Sequence, residues 1–459
     1  MSLDVIILAA GQGTRMKSNL PKVLHPLGGQ PLVLYSVQAA EAASGRAPVL
    51  VIGNGADQVR ETVGDAARYV LQAEQLGTGH AVMQARALVE GASDHVIVMY
   101  ADMPLLTADT LRALYEAQQG NSGPITMLTH VTDTPRGFGR IVRDPASGSV
   151  RAIVEEAQAT PEQLAIREVN VGVYCFDAAW LWSHLDRIPL SPEGEYYLTD
   201  LVEMAVAEGH TITALTTEDA DEVLGINTRV HLAEAEAALR RRVNERLMLA
   251  GVTIVDPAST YIHPTVEIGQ DTVIMPNTYV WGRTTIGANC VIGPNTIIQD
   301  CTIGNDCEVL ASVLEHATLE DRVDVGPFGH LRKGAYLESD VHMGNFGEVK
   351  NSRLRRGVKM GHFSYIGDGD IGEDTNIGAG TITCNYDGVR KHKTVTGKGV
   401  FIGSDTMLVA PVTLGDGART GAGSVVTRDV PPGTLVYGVP ARAPAREPQE
   451  TTEDERSTS

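Results

Sequence analysis

Residues 8–22 read Leu-Ala-Ala-Gly-Gln-Gly-Thr-Arg-Met-Lys-Ser-Asn-Leu-Pro-Lys, directly after an apolar run. Glycines at 11 and 13 let backbone N–H groups approach a polyphosphate, and Arg15 and Lys22 add mobile positive charge suited to a pentavalent phosphorus centre. A dinucleotide fold asks for a third glycine and an acidic residue about twenty positions on. Neither Thr14-Arg15-Met16 nor the region of Gly28-Gly29-Gln30 supplies them. Residues 71–79, Leu-Gln-Ala-Glu-Gln-Leu-Gly-Thr-Gly, bring an amide, Gln72, and a close-approach Gly77-Thr78 just before a helix. An amide can pair with the donor and acceptor edges of a pyrimidine; alternatively the segment is a solvent-exposed helix start. Tyr100-Ala101-Asp102 ends another apolar run, where α/β folds place ligand chemistry. Asp102 could hold Mg²⁺ bridging phosphates, or cap a helix or turn.

The C-terminal half carries a second set. An apolar residue returns at every sixth position through Ile262, Ile268, Ile274, Val280, Ile286, Ile292 and Ile298. A period of six fits neither a helix nor simple strand alternation and marks a hexapeptide β-helix, short parallel strands forming the faces of a prism. The period slips by a residue between Ile298 and Ile303 and resumes at Leu319, Val325, Leu331, Leu337 and Met343. Glycines following the inward residue, at 269, 287, 293, 304, 372, 378, 403 and 415, are expected to relieve the backbone at corners. Leu331 and Val349 lie one coil apart, so Arg332 and Lys350 stack on one face at about 4.8 Å. Like charges there repel by about 1 kcal/mol in water and more where partly desolvated. A shared anion such as a sugar phosphate would offset this, unless the side chains splay into water. Near that ladder lie His362, within Gly-His-Phe-Ser-Tyr-Ile-Gly-Asp at 361–368, then Asn376, then Asn385-Tyr386-Asp387-Gly388 with Lys391.

The elements that must position these groups follow from the rest of the pattern. Apolar runs at 5–10, 49–53, 96–101, 125–131 and 169–176 alternate with helical stretches at 32–43, 79–89, 108–118 and 198–208, which predicts α/β architecture with a mostly parallel sheet. Asn227-Thr228 can cap a helix over 230–250 that stops at Gly251. The expected domains are 1–228, a connecting helix at 229–250, a β-helix over 251–442, and an acidic tail, 443–459, without apolar anchors and so disordered. Residues 381–399 break the hexads and should project as a loop. The net charge of −20 argues against a nucleic-acid partner, so an anionic ligand must be held by local Lys and Arg clusters. Five cysteines, odd in number and without CxxC spacing, fit buried packing thiols in a reducing compartment rather than disulfides or zinc. No apolar run is long enough to span a membrane, and residues 1–10 are a strand entering a motif rather than a signal peptide, which places the protein in the cytoplasm with no membrane partner.

The string from Leu8 to Lys22 resembles the signature of sugar-nucleotide pyrophosphorylases, and Gln72, Gly77-Thr78 and Asp102 make it look like their uridylyltransferase branch. Over nearly the whole chain the sequence resembles the bacterial bifunctional UDP-N-acetylglucosamine pyrophosphorylase and glucosamine-1-phosphate N-acetyltransferase family. That resemblance implies a Rossmann-like nucleotidyltransferase domain and a left-handed parallel β-helix; the period alone does not set the hand. It implies acetyl transfer from acetyl-CoA to glucosamine-1-phosphate, then uridylyl transfer from UTP to N-acetylglucosamine-1-phosphate with release of pyrophosphate, feeding peptidoglycan and lipopolysaccharide precursors. By this likeness Leu8, Ala9, Ala10, Gly11, Lys22, Gln72, Gly77, Thr78, Tyr100, Ala101, Asp102, Gly139, Glu155, Asn170 and Asn227 line the nucleotide-sugar site. Asp102 and Asn227 would hold Mg²⁺, while Arg15 and Lys22 stabilise charge during attack. His362 would be the general base, with Arg332, Lys350, Tyr365 and Asn376 on the sugar phosphate and Ala379, Asn385, Tyr386, Ser404 and Ala422 on acetyl-CoA. Open prism faces and a loop needing a landing place predict a homotrimer with acetyl sites between subunits, as the likeness also implies.

Four positions depart from the family pattern. Ala101 replaces a glycine, Val171 replaces a threonine, no lysine follows Glu155 within Glu156-Ala157-Gln158, and the stretch Tyr437-Gly438-Val439-Pro440 offers no arginine for a CoA phosphate until Arg442. Two rivals remain: a single-activity nucleotidyltransferase whose prism serves only assembly or regulation, and a non-enzymatic nucleotide-sensing or translation-exchange subunit. The outward set His362, Asn385, Tyr386 and Lys391 argues against the first, and intact Arg15, Lys22 and Asp102 against the second.

Overall fold

A computed structural model describes residues 2–135 and 137–443. The expected disordered tail beyond 443 lies outside the described residues. The chain divides into two compact units between Leu239 and Arg240, inside the helix Arg229–Leu249. Thr228 caps that helix, its hydroxyl accepting from the His231 N–H at 3.2 Å.

In the first unit the strand Leu3–Ala9 is buried along its length. Ile6 and Leu8 face one apolar cluster with Val82 and Leu181, while Val5 and Ile7 face a second with Val33, Val37 and Leu111. A strand buried on both faces by helices reads as a continuous apolar run. The sheet runs Thr213–Thr217, Ile125–Val131, Glu168–Asp177, His95–Tyr100, Leu3–Ala9, Val49–Ile52, Arg68–Leu71. Neighbours are parallel except Glu168–Asp177, antiparallel on both sides. The expected helix over 79–89 is two, Gly77–Gln84 and Arg86–Val89, broken at Ala85. Leu3–Ala9 leads outward to Val49–Ile52 and Arg68–Leu71, and the chain then returns on the other side as His95–Tyr100. The carboxyl ends of those two central strands therefore flank a topological switch point, the place where open α/β sheets hold ligands.

The second unit is a prism of three sheets with twelve, ten and nine strands among the described residues. Coil pairs with coil in parallel, Tyr261 opposite Tyr279 and Val280 opposite Ile298, and the inward residues Ile274, Val280, Ile292 and Ile298 are fully buried. The slip in the hexad period is two short coils: Thr285 pairs with Thr302 seventeen residues on, and Thr302 with Thr318 sixteen on. No helix among the described residues is long and apolar enough to cross a membrane, and all five cysteines are free thiols.

Two expectations about the prism require correction. Of the corner glycines only Gly293 is left-handed, at φ 96°; glycines 269, 287, 304, 372, 378, 403 and 415 are not, and after five of them Asp271, Asn289, Asp306, Asp374 and Asp405, two positions on, are, with φ of 55 to 61°. The glycines are needed because a Cβ on Gly287 would stand 2.5 Å from the Gly304 carbonyl oxygen, and one on Gly269 2.6 Å from the Ala288 nitrogen. The projecting loop is also shorter than 381–399. Strands Ile382–Cys384 and Thr394–Thr396 belong to the prism, and only residues 385–393 leave it. Buried threonines stand there where the hexad pattern asks for apolar residues. Thr383 Oγ1 accepts from the Gly367 N–H at 2.7 Å, and Thr396 Oγ1 from that of Gly372 at 2.8 Å, so each hydroxyl is satisfied inside.

A Gly287→Ala variant should lose about 1–3 kcal/mol in urea unfolding, since two backbones must separate. Asp271→Gly should stay within about 0.5 kcal/mol of the parent, because relieved left-handed strain offsets added freedom in the unfolded chain. Equal stability of Gly287→Ala and parent contradicts the steric account.

Candidate active sites

The chain leaves the sheet at Ala10. A Cβ at Gly11 would meet nothing within 4 Å, so this backbone faces open space. Gly13 is in left-handed conformation at φ 62°, and a Cβ there would lie 2.6 Å from the Lys22 Cβ; glycine both turns the chain and lets the lysine cross. Lys22 Nζ donates to Asp102 Oδ2 at 2.5 Å and to Asn227 Oδ1 at 3.2 Å. Arg15 Nη2 donates to the same Asn227 oxygen at 2.9 Å. The Ile226 N–H donates to the Asp102 carbonyl at 2.9 Å, tying the two segments together. Four residues up to 212 positions apart thus converge at the switch point. Asp102 caps no helix; Thr107 does that for Ala108–Gln119.

Two cavities open here. One of about 290 Å³ is lined by Leu8, Ala9, Ala10, Gly11, Lys22, Gln72, Gly77 and Thr78. The other, about 430 Å³, is lined by Arg15, Gly139, Glu155, Asn170 and Asn227, and Thr78, Tyr100 and Asp102 border both. Gln72 is buried, which removes the exposed-helix-start alternative. Its Nε2 donates to the Gly77 carbonyl at 3.1 Å. Gly77 has φ 92°, and a Cβ would sit 2.6 Å from the Tyr196 carbonyl oxygen. Asn170 Oδ1 accepts from the Gly172 N–H at 3.0 Å and its Nδ2 donates to the Tyr174 hydroxyl at 2.7 Å. Burial pushes the Glu155 carboxyl and the Tyr100 hydroxyl up from their ordinary values. Ala101 and Val171, two of the departures, are buried in the core. Glu195 also lines the smaller cavity; it comes from an irregular segment far along the chain, and no local motif marks it.

The second unit groups its candidates into two clusters. His362 is exposed at the corner before the strand Ser364–Gly367 and lines a cavity of about 380 Å³ with His342, Lys359, Asn376, Ala379 and Ser404. Ala379, Ser404 and Ala422 repeat up that corner: the Asp405 N–H bonds the Ala379 carbonyl, the Gly423 N–H the Ser404 carbonyl, and a Cβ at Gly403 would stand 2.8 Å from the Ala422 nitrogen. The other cluster lies at the far end of the adjoining face. Leu331 pairs with Val349, and the Arg332 N–H bonds the Val349 carbonyl, so Arg332 stands over Lys350 as expected. Arg332 Nη1 also donates to Glu348 Oε1 at 2.9 Å. Glu348 pairs with Tyr365, on the face between the two clusters. Asn385 is buried, and its Nδ2 donates to Asp368 Oδ2 at 2.6 Å, while Asn351 takes the other Asp368 oxygen. Asp368 therefore roots the loop, a role its sequence position did not reveal. Tyr386 is exposed, its hydroxyl donating to the Gly388 carbonyl.

The Arg332 guanidinium, and after it the Lys391 ammonium, hold Lys350 below the usual lysine range. Like charges disfavour the protonated form, so removing one must raise the value. Arg332→Gln should shift the Lys350 titration to higher pH in NMR of labelled lysines, and inorganic phosphate should do the same in the parent. An unmoved titration in both cases means the column is not electrically coupled.

A sheet with a charged switch point for nucleoside phosphates and a hexapeptide prism on one chain define a bifunctional transferase. The family description "MobA-like NTP transferase domain" matches residues 5–250, and "Bacterial transferase hexapeptide (six repeats)" matches 265–300 and 393–428. The chain is 50% identical over 431 residues to a "Bifunctional protein GlmU" of Heliobacterium modesticaldum, covering 94% of each chain. It is 49% identical over 443 residues to that of Trichlorobacter lovleyi, covering 96% of this chain and 95% of the relative. With that of Azotobacter vinelandii the figures are 50% over 441 residues, 95% and 96%. The chain belongs to the bifunctional GlmU family.

Proposed function

We propose that the prism transfers an acetyl group from acetyl-CoA to glucosamine-1-phosphate, and that the sheet domain couples the product to UTP, giving UDP-N-acetylglucosamine and pyrophosphate. The observation that carries the reading is the convergence of Arg15, Lys22, Asp102 and Asn227 at the switch point, a constellation for moving a nucleotidyl group. In this reading the open backbone at Gly11 faces the triphosphate and Gln72 the base. Gly139, Glu155 and Asn170 wall the sugar side. Arg15 and Lys22 stabilise negative charge as the sugar phosphate oxygen attacks the α-phosphorus and pyrophosphate departs. Asp102 and Asn227 offer a carboxylate and an amide oxygen already facing one cation, the Lys22 ammonium. Such hard donors suit Mg²⁺, which takes few protein ligands and, when bound, supplies charge neutralisation on the phosphates.

On the prism, His362 takes a proton from the amine as nitrogen attacks the thioester carbonyl and the CoA thiolate leaves. Arg332 and Lys350 hold the sugar phosphate, with Tyr365 on the face beside them and Asn376 contributing from the His362 cavity. The repeating small corner at Ala379, Ser404 and Ala422 leaves room for a pantetheine arm, and Asn385 and Tyr386 stand at the loop. The cationic column and His362 sit at opposite ends of a face four residues wide, about 13 Å. A homotrimer, in which one copy brings its column to another's His362, unites them. Five free thiols favour a reducing compartment, and we assign the protein to the cytoplasm.

His362→Ala should reduce acetyl-CoA-dependent release of CoA thiol by about 10²-fold or more while leaving UTP-dependent pyrophosphate release intact. Loss of both activities, or of neither, defeats the assignment. Asp102→Asn should raise the Mg²⁺ needed for half-maximal pyrophosphate release by about tenfold or more. An unchanged metal titration removes Asp102 from the metal site.

A further inference from the structure

Gln72 is held by a neighbour that touches neither cavity. Its Nε2 lies 3.1 Å from the Gly77 carbonyl oxygen and 3.2 Å from His80 Nδ1. A backbone carbonyl only accepts, so the amide nitrogen must be on that side. An amide nitrogen only donates, so His80 Nδ1 is the acceptor and the imidazole proton sits on Nε2. The structure places Gln84 Nε2 3.1 Å from that ring nitrogen and donating to the His80 carbonyl at 3.1 Å; a proton on His80 Nε2 requires the Gln84 amide to turn end for end, its oxygen then accepting from the ring in place of the bond to the carbonyl. Both hydrogens of the Gln72 amide are thereby spent. Its oxygen, with no partner among the described residues, is the group left for a ligand in the smaller cavity that Gln72 lines. His80 lines neither cavity; it sits in the helix Gly77–Gln84 that opens with the Gly77-Thr78 approach.

We propose that His80 is a positioning residue for base selection: by accepting from Gln72 Nε2 it keeps the Gln72 oxygen turned to the base, so that the site reads a ring N3–H donor and rejects a ring N3 acceptor. This rests on the uridylyltransferase reading. Uracil and thymine both carry N3–H, whereas cytosine presents a lone pair at N3. A Gln72 amide free to turn would offer cytosine its N–H. Turning it in the parent breaks two hydrogen bonds and sets the oxygen against the Gly77 carbonyl oxygen and the His80 lone pair. Without the imidazole only the Gly77 bond resists, and discrimination weakens without vanishing.

The test compares kcat/KM for UTP, CTP and dTTP in the full chain, its His80→Leu variant and its His80→Asn variant, whose side-chain oxygen can accept near the place of Nδ1. The UTP:CTP ratio should fall about fivefold in His80→Leu, the scale of one hydrogen bond. That fall should come mainly through KM, leave UTP:dTTP unchanged and be largely restored in His80→Asn. A UTP:CTP ratio within twofold of the parent in His80→Leu, or equal losses with all three nucleotides, overturns the role of His80 alone. A parent that releases no pyrophosphate from UTP overturns the uridylyltransferase reading, and this assignment with it.

Discussion

The prism can stack only because nothing stands between one corner and the next. At Gly269, Gly287 and Gly403 the following coil passes so close that a single Cβ would meet backbone atoms at 2.5 to 2.8 Å. Contact that tight makes the rise from coil to coil nearly invariant, and the invariant rise sets the chemistry of the outer wall. Arg332 cannot drift from Lys350 because Leu331 and Val349 are paired beneath them. The same stacking repeats small residues at 379, 404 and 422 up one edge. A repeat that leaves its outward positions free can therefore carry a site as regular as its core.

The sheet domain solves a related problem by other means. Its charges are gathered by topology: a loop after one central strand, the end of the next, and a segment more than two hundred residues along meet at the point where strand order reverses. Lys22 lies between Asp102 and Asn227 with all three partly shielded from water, so the cluster is balanced before any phosphate arrives. A chain carrying −20 overall can receive an anion there because the positive groups are local and pre-aimed. Both halves follow one rule, opposing a general negative field with a few cations fixed by backbone geometry.

Much of this was legible in the sequence. The six-residue apolar period defined the prism and the register that stacks Arg332 on Lys350, and the buried strands announced themselves as apolar runs. What escaped was what apolarity does not encode. Edge strands such as Arg68–Leu71 and Thr213–Thr217, and the hairpin Arg140–Arg143 with Val150–Val154, mix polar with apolar residues. Thr383 and Thr396 face the core as fully as Ile or Val, yet they read as loop because their satisfied hydroxyls are invisible to a hydrophobic count. The corner glycines other than Gly293 were legible as corners but misread as conformational hinges, since only coordinates reveal whether the turn or the neighbour demands them. In the candidate sites, Gln72 and Asn227 stood out by likeness to the family, whereas Asp368, Glu195 and His80 act through partners that no local pattern links to them.

The excursion at 385–393 has a consequence for how such chains change over time. Gly369 pairs with Thr394 and Asp370 with Val395 across twenty-five residues, where the coils before and after need only seventeen or eighteen. The ladder resumes in register as though the extra length were not there. Corners of this kind are ports at which evolution can splice a segment of any size, altering what the wall recognises while the tower above and below keeps its foundations.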